Sequence, residues 1–193
     1  MWVTTWPATH LNVAALVSQS HAAGVRQLWV RTGGTKQGYY GSRFLPALVP
    51  AAHAAGIAVI AWDFPTLSDP VADAGRARSA LASGIDGFST DIETVSERVY
   101  DSSRRVALYL SLVRSYAGAR PVVATVPRPT PKRLASYPYA AQAPYVDVFA
   151  PMVYWSCSEP GALTRDSLSP LRKYHKPSLG VPVTSCGGFW PAR

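Results

Sequence analysis

Three segments of the chain repeat one pattern, in which an Ala-rich helix ends at a glycine and an apolar strand begins directly after it. The segments are residues 21–25, 53–57 and 81–85, with glycine at positions 24, 56 and 84. Glycine just beyond a helix accepts the left-handed conformation that ends the helix. The glycines lie 32 and 28 residues apart, which fits one helix, one strand and two short loops. The repeating unit is therefore β/α.

Extending this pattern predicts seven strands with helices between them. The strands lie near residues 2–6, 26–32, 57–63, 85–92, 121–126, 146–154 and 178–183, and the helices near 10–23, 43–55, 70–83, 99–117, 131–142 and 165–174. Apolar strands that alternate with helices predict a parallel sheet covered on both faces. The spacing favours a (β/α)8 TIM-type barrel over an open doubly wound sheet. A nucleotide-binding fold has little support, because Gly33-Gly34 is followed by neither GxGxxG nor a P-loop lysine.

The predicted barrel lacks its eighth β/α unit. Such a barrel normally needs about 250 residues and rarely has fewer than about 200. The nine residues that follow Thr184 are too few for another helix and strand. We expect a single domain over residues 1–193 that is either truncated at its C-terminus or an open barrel with two exposed sheet edges. The sequence favours truncation.

Composition limits the partners and leaves the compartment open. The net charge is +8, but the basic residues are scattered and form no nucleic-acid motif, so we expect no nucleic-acid partner. No apolar run reaches the roughly 18 residues of a membrane span, and no secretory signal is visible. Cys157 and Cys186 lack the spacing of a zinc site and could form a disulfide in an exported protein. The oligomeric state is left undetermined.

The strongest functional signal is the predicted strand that ends in Asp91-Ile92-Glu93. Side chains two positions apart on a strand share a face, so Asp91 and Glu93 are expected on the same face. Phe88 and Ile92 then face the opposite side. An unpaired buried charge is unfavourable, and barrel enzymes carry their active sites at the carboxyl ends of the strands. We therefore interpret Asp91 and Glu93 as candidate catalytic residues.

Aromatic and polar residues follow the other predicted strands at the same end. They are Trp6, Arg31, Trp62, Asp63, Met152 and Trp155, and we expect them to contact a substrate. Aromatic rings beside acidic groups suit sugars, whose C–H faces stack on rings while the hydroxyls form hydrogen bonds. Glycoside hydrolysis needs a protonated carboxyl group, and a glutamate beside another carboxylate has the raised pKa that such an acid requires.

Three alternatives remain open for these acids. Asp91 and Glu93 could form salt bridges with neighbouring arginines, Arg31 or Arg128, and only tie strands together. Together with Asp63 they could instead hold Mg²⁺ in a metal-dependent barrel enzyme. The protein could also be a degenerate barrel that binds a glycan without hydrolysing it.

Two motifs resemble those of family 18 glycoside hydrolases, the chitinase-like barrels. Residues 86–93, Asp-Gly-Phe-Ser-Thr-Asp-Ile-Glu, resemble the DGxDxDxE signature of their fourth strand, and residues 151–154, Pro-Met-Val-Tyr, resemble the M-x-Y motif of their sixth. The resemblance covers roughly residues 2–184, and only these two motifs are diagnostic. Ser89 stands where the family has an inner aspartate, and Trp155 where it has Asp or Asn. Family 25 lysozyme-like barrels also carry Asp-x-Glu at a strand end.

The resemblance implies a substrate-assisted glycosidase. Glu93 would protonate the glycosidic oxygen, and Asp91 would orient the 2-acetamido group whose carbonyl oxygen is the nucleophile. Tyr154 would hydrogen-bond that group. We therefore predict a glycoside hydrolase that acts on an N-acetylated or cell-wall-type oligosaccharide or polysaccharide, without a metal or other cofactor.

Overall fold

The computed structural model describes residues 1–154, 159–174, 176–177 and 181–182 of the chain. The strands are β1 Trp2–Val3, β2 Gln27–Gly34, β3 Gly38–Tyr39, β4 Ala58–Phe64, β5 Gly87–Asp91, β6 Val122–Pro127, β7 Val148–Val153 and β8 Val181–Pro182. The α-helices are α1 Val13–Ala22, α2 Leu45–Ala54, α3 Pro70–Leu81, α4 Ser103–Ala117, α5 Pro131–Ser136, α6 Tyr139–Gln142 and α7 Pro160–Leu168. Short 3₁₀ helices cover Gly41–Arg43, Val95–Glu97 and Ser169–Tyr174.

The strands form a curled parallel sheet that makes half of a barrel. Its order is β1-β2-β4-β5-β6-β7-β8, and each neighbouring pair is parallel. The short strand β3 lies outside this order and pairs antiparallel with the end of β2. The predicted alternation of strands and helices and the parallel sheet are confirmed, and the architecture is that of an incomplete TIM barrel. None of the described helices is long and apolar enough to cross a lipid bilayer.

Two predicted helices differ from the observed ones. The helix predicted over 131–142 is divided into α5 and α6, because Tyr137 has an extended backbone (φ −87°, ψ 137°) ahead of Pro138, and a residue before proline avoids the helical region. The helix predicted over 165–174 begins earlier, at Pro160, where Glu159 caps it by accepting from two backbone N–H groups. The hairpin strand β3 was not predicted.

The predicted helix stops are confirmed by backbone conformation. Gly24, Gly56 and Gly84 have φ of +70°, +68° and +80°, which a side chain would disfavour. Asp86 then anchors the start of β5, since its Oδ2 accepts from Val59 N–H at 2.7 Å and contacts His53 Nε2 at 2.9 Å.

The two faces of the sheet bury different side chains. The outer face packs on the helices, with Phe88 and Ile92 fully buried there. The concave inner face is filled mainly by tryptophans: the rings of Trp2 and Trp29 are 4.7 Å apart, and Trp62 packs against Ile60 in the same cluster. This alternation places the predicted site residue Asp91, the last residue of β5, on the concave side, and Glu93 follows it two residues beyond the strand.

Gly87 allows the inner layer to close around β5. A Cβ atom at this position would lie 2.9 Å from Ile60 Cδ1 and 3.0 Å from Pro121 Cγ. Close packing of the two neighbouring strands therefore requires glycine here. Two residues further along, the Ser89 hydroxyl lies 2.9 Å from the Thr125 hydroxyl on β6, so the next inner layer is joined by a hydrogen bond between strands.

Candidate active site

A cleft of about 400 Å³ opens over the carboxyl ends of β2, β4 and β5. It is lined by Trp6, Arg31, Lys36, Gln37, Trp62, Phe64, Thr66, Asp91 and Glu97. The sequence pattern predicted four of these residues, namely Trp6, Arg31, Trp62 and Asp91. Lys36 and Gln37 come from the turn between β2 and β3, and they were missed because that short hairpin was not predicted.

Asp91 is the last residue of β5 and is partly buried at the cleft. Its Oδ1 atom is buried and has no hydrogen-bond partner among the described residues. Burial, and then the nearby Glu93 carboxylate, raise the pKa of Asp91 to about 8, while the positive charge of Arg31 opposes the rise. Asp91 therefore holds a proton at neutral pH.

Glu93 follows β5 by two residues and is half-buried. Burial raises the pKa of Glu93 to about 7; the charge of Glu97 adds to the rise and that of Arg133 opposes it. A carboxyl group with this pKa is partly protonated near neutral pH, so it can donate a proton to a substrate oxygen and accept one back.

Neither acid forms an ion pair within the described part of the chain. The ion pairs there join His53 to Asp86, Arg76 to Asp63 and Asp73, and Arg114 to Asp147. The alternative in which Asp91 and Glu93 tie strands together through Arg31 or Arg128 therefore has no support in these contacts.

Replacing Asp91 by Asn is expected to flatten the dependence of protein stability on pH. The pKa of Asp91 is raised from 3.8 to about 8 by folding, so its stabilising contribution is complete below about pH 4 and is lost as the pH rises through about 8. Asn does not ionise, and we expect Asp91→Asn to exceed the wild type in free energy of unfolding at pH 9 by at least about 1 kcal/mol. Urea unfolding at several pH values measures this difference.

Asp166 provides the control for that measurement. It is exposed on α7, and Asp166→Asn should leave the pH dependence of the wild type unchanged. Equal slopes of stability against pH in wild type and Asp91→Asn would contradict the raised pKa of Asp91.

Tyr154 lies one residue beyond β7 with its side chain 54% exposed. Its hydroxyl donates to Met152 Sδ at 3.6 Å. Burial of the phenol raises the pKa of Tyr154, and the charges of Glu93 and Asp91 raise it further. Both acids therefore act electrostatically on the Tyr154 hydroxyl. Trp155, Cys157 and Cys186 lie outside the described residues.

Asp63 is held on the other side of the sheet. Because Trp62 faces the concave side, its neighbour Asp63 points to the helices, where Arg76 Nε donates to Asp63 Oδ2 at 2.6 Å. Burial raises the pKa of Asp63 to about 6, against the opposing charge of Arg76. In this position Asp63 does not line the cleft, and among the residues described no three His, Cys, Asp or Glu are close enough to hold a metal ion.

The same arginine completes a buried network that sequence reasoning missed. Arg76 also donates to Asp73 Oδ1 at 2.8 Å, and both aspartates are 1% exposed. Asp73 accepts further bonds from the Thr35 hydroxyl at 2.9 Å and from Leu67 N–H at 2.8 Å. Leu67 has φ of +59°, so the carboxylate fixes a strained turn. The spacing of Asp73 and Arg76 on one helix was the only available signal.

Arg31 is a buried cation at the cleft. It is 6% exposed, and its guanidinium lies 4.3 Å from the Trp6 ring and 5.4 Å from the Trp62 ring. Its Nε donates to the Gly33 carbonyl at 3.3 Å, and its terminal nitrogens have no hydrogen-bond partner in the described part of the chain. Each cation–π contact contributes about 0.5–2 kcal/mol, whereas removing an ion from water costs several kcal/mol. The cation–π contacts therefore offset only part of the free-energy cost of burying the Arg31 guanidinium.

Comparison with known proteins gives the fold. No protein-family model matches the sequence, and no curated protein matches it. Among solved structures, the chain is similar to a GH113 β-1,4-mannanase (TM-score 0.67, 12% identity, covering 92% of this chain and 69% of that one). It is also similar to the chitinase domain of the spore coat protein CotE from Clostridium difficile (TM-score 0.62, 14% identity, 94% and 64%).

A class V chitinase from Pseudomonas fluorescens Pf-5 has the same fold (TM-score 0.58, 15% identity, 90% and 64%). The chain thus spans 64% of the length of each of the two chitinase structures. At these identities the likeness shows the fold alone: the chain has the barrel fold that glycoside hydrolases use, in an incomplete form.

Proposed function

We propose that the protein is a glycoside hydrolase that acts on an N-acetylated or cell-wall-type glycan, with Glu93 as the general acid. One observation carries the proposal: two carboxyl groups at the end of one barrel strand, Asp91 and Glu93, have pKa values raised to about 8 and about 7, and Asp91 lines an open cleft. Raised pKa values of this kind suit acid catalysis at neutral pH. The fold shared with mannanase and chitinase structures supports the reaction class.

The chemistry follows from the positions of the acids. Glu93 would give its proton to the glycosidic oxygen as the bond from that oxygen to C1 breaks. In the substrate-assisted route that the resemblance implies, the carbonyl oxygen of the 2-acetamido group bonds to C1, and water later opens the oxazolinium ring. Asp91, on the same face, would orient the acetamido N–H. Tyr154 would donate a hydrogen bond from its hydroxyl to the carbonyl oxygen of that group.

The rate of hydrolysis is expected to fall as the pH rises through about 7. Glu93 must be protonated to act as the acid, and burial places its pKa at about 7, so the active fraction shrinks tenfold per unit above that value. Initial rates of wild type on chromogenic glycosides and N-acetylated oligosaccharides, measured between about pH 4 and pH 9 with and without EDTA, give the profile.

Each result of that assay has a clear meaning. Activity that falls above neutral pH and persists in EDTA supports the proposal. A rate that rises through pH 8 would contradict a protonated Glu93, and loss in EDTA would indicate the metal-dependent alternative.

A non-catalytic glycan-binding barrel is the second candidate, and the Ser89 contact favours it. Ser89 occupies the position of the family's inner aspartate and bonds the Thr125 hydroxyl. The inner layer beneath Asp91 therefore lacks a third carboxylate. Binding of oligosaccharide without hydrolysis by the folded protein would support this candidate.

A further inference from the structure

The proposed activity leaves one feature of the cleft without a partner, the guanidinium of Arg31. Arg31 is buried, with 6% of its surface exposed. Its Nε bonds the Gly33 carbonyl, which fixes the plane of the group, and the Trp6 ring lies 4.3 Å from its central carbon. The two terminal nitrogens remain without a bond among the described residues, and Arg31 lines the cleft. A fixed guanidinium whose Nη1–Nη2 edge is free matches a planar or tetrahedral oxyanion in bidentate geometry.

Arg31 forms no ion pair with an acid among the described residues. Asp91 is within range of its field, but the raised pKa of Asp91 favours the protonated carboxyl at neutral pH. Asp63 is paired with Arg76. Glu97 also lines the cleft, and its carboxylate accepts bonds from the Thr94 and Ser96 hydroxyls, each at 2.6 Å.

A second cation lines the same cleft. Lys36 and Gln37 line it from the turn between β2 and β3. The ammonium group of Lys36 adds a second positive charge to the cleft. A buried cation is unfavourable unless an anion meets it, so the occupant of this part of the cleft should carry negative charge.

We infer that the glycan bound in this cleft is acidic, carrying a carboxylate or a sulfate ester that Arg31 binds with the help of Lys36. The inference rests on the proposed function, because it assumes that the cleft holds a sugar chain. The anion would accept two parallel N–H···O bonds from Nη1 and Nη2 of Arg31, while the Trp6 ring packs against the guanidinium. Neutral oligosaccharides would leave the guanidinium unpaired.

Binding measurements on matched oligosaccharides test the inference. Calorimetry with full-length protein would compare a neutral N-acetylated oligosaccharide, one of equal length with uronic acid units and one with sulfate esters. We expect at least one acidic ligand to bind about tenfold or more tightly than the neutral one, and Arg31→Gln to remove most of that preference. The better of the two acidic ligands identifies the oxyanion.

Arg26→Gln is the matched control, because Arg26 is exposed just before the opposite end of β2. It should keep the preference of the wild type. If Arg31→Gln does not fold, Lys36→Gln and the salt dependence of wild-type binding replace it. We expect a weaker preference for the acidic ligand in Lys36→Gln and in high salt.

The outcomes separate the inference from the proposed function. Equal binding of acidic and neutral ligands, or an unchanged preference in the folded Arg31→Gln variant, overturns the inference. If wild type and Arg31→Gln then hydrolyse neutral glycans at equal rates, the glycosidase proposal is unaffected. Tight binding of an acidic oligosaccharide without any hydrolysis supports the inference and overturns the glycosidase proposal.

Discussion

Replacing Glu93 by Gln is expected to lower the turnover of a hydrolysed glycan by about 10²–10⁴-fold, the usual contribution of a general acid. Gln has the same shape but no proton to transfer to the leaving oxygen. Binding of the same glycan should change by less than about threefold, because the amide keeps the hydrogen-bonding capacity of the side chain. Turnover from initial rates and affinity from calorimetry, measured on the same preparation, separate these two effects.

Glu159→Gln serves as the control for this experiment. Glu159 is exposed at the start of α7, where its carboxylate caps that helix, and it is not among the residues that line the cleft. The same chemical change there should leave turnover within about twofold of wild type, since the Gln oxygen can still accept from the helix. Retention of more than about a tenth of the turnover by Glu93→Gln would remove Glu93 from the role of acid.

The second large effect is expected on stability, from Arg76→Met. The substitution leaves the carboxylates of Asp63 and Asp73 buried without their cation, and both are 1% exposed in the wild type. Breaking a buried pair in this way costs about 3–5 kcal/mol, which corresponds to a fall in melting temperature of about 6–20 °C for a domain of this size. Thermal and urea unfolding at neutral pH measure the loss.

Two further variants show whether the charge network causes that loss. Arg78→Met changes an exposed arginine on the same helix, whose guanidinium lies 5.7 Å from the Tyr116 ring, and should lower the free energy of unfolding by no more than about 1 kcal/mol. Combining Arg76→Met with Asp63→Asn should recover part of the lost free energy of unfolding, because a neutral amide replaces one of the two unpaired buried carboxylates. If Arg76→Met and Arg78→Met destabilise the protein equally, the network has no special role.

Local signals in the sequence account for most of the fold. Gly24, Gly56 and Gly84 end helices in the left-handed conformation, and each is followed by a short link to a buried strand. The divided helix around Pro138 was missed because the overall helical pattern outweighed a single proline. The hairpin strand β3 was missed because two residues form no hydrophobic period.

The site was predictable only in part. Strand alternation correctly placed Asp91 on the concave face, and the same rule applied to Trp62 would have turned Asp63 away from it. The partner of Asp63, Arg76, depends on how α3 packs on the sheet, which no local pattern specifies. The unpaired state of Arg31 is likewise a property of the assembled cleft.

The hydroxyl of Thr35 connects the buried network to the entrance of the cleft. This hydroxyl donates to Asp73 and accepts from Thr66 N–H at 2.7 Å. In the sequence, Thr35 directly precedes Lys36 and Gln37 in the turn. The turn is therefore held in place before any ligand arrives. Preorganisation of this kind spares a binding reaction the entropy of ordering a loop, so residues of α3 that never touch the ligand contribute to its affinity.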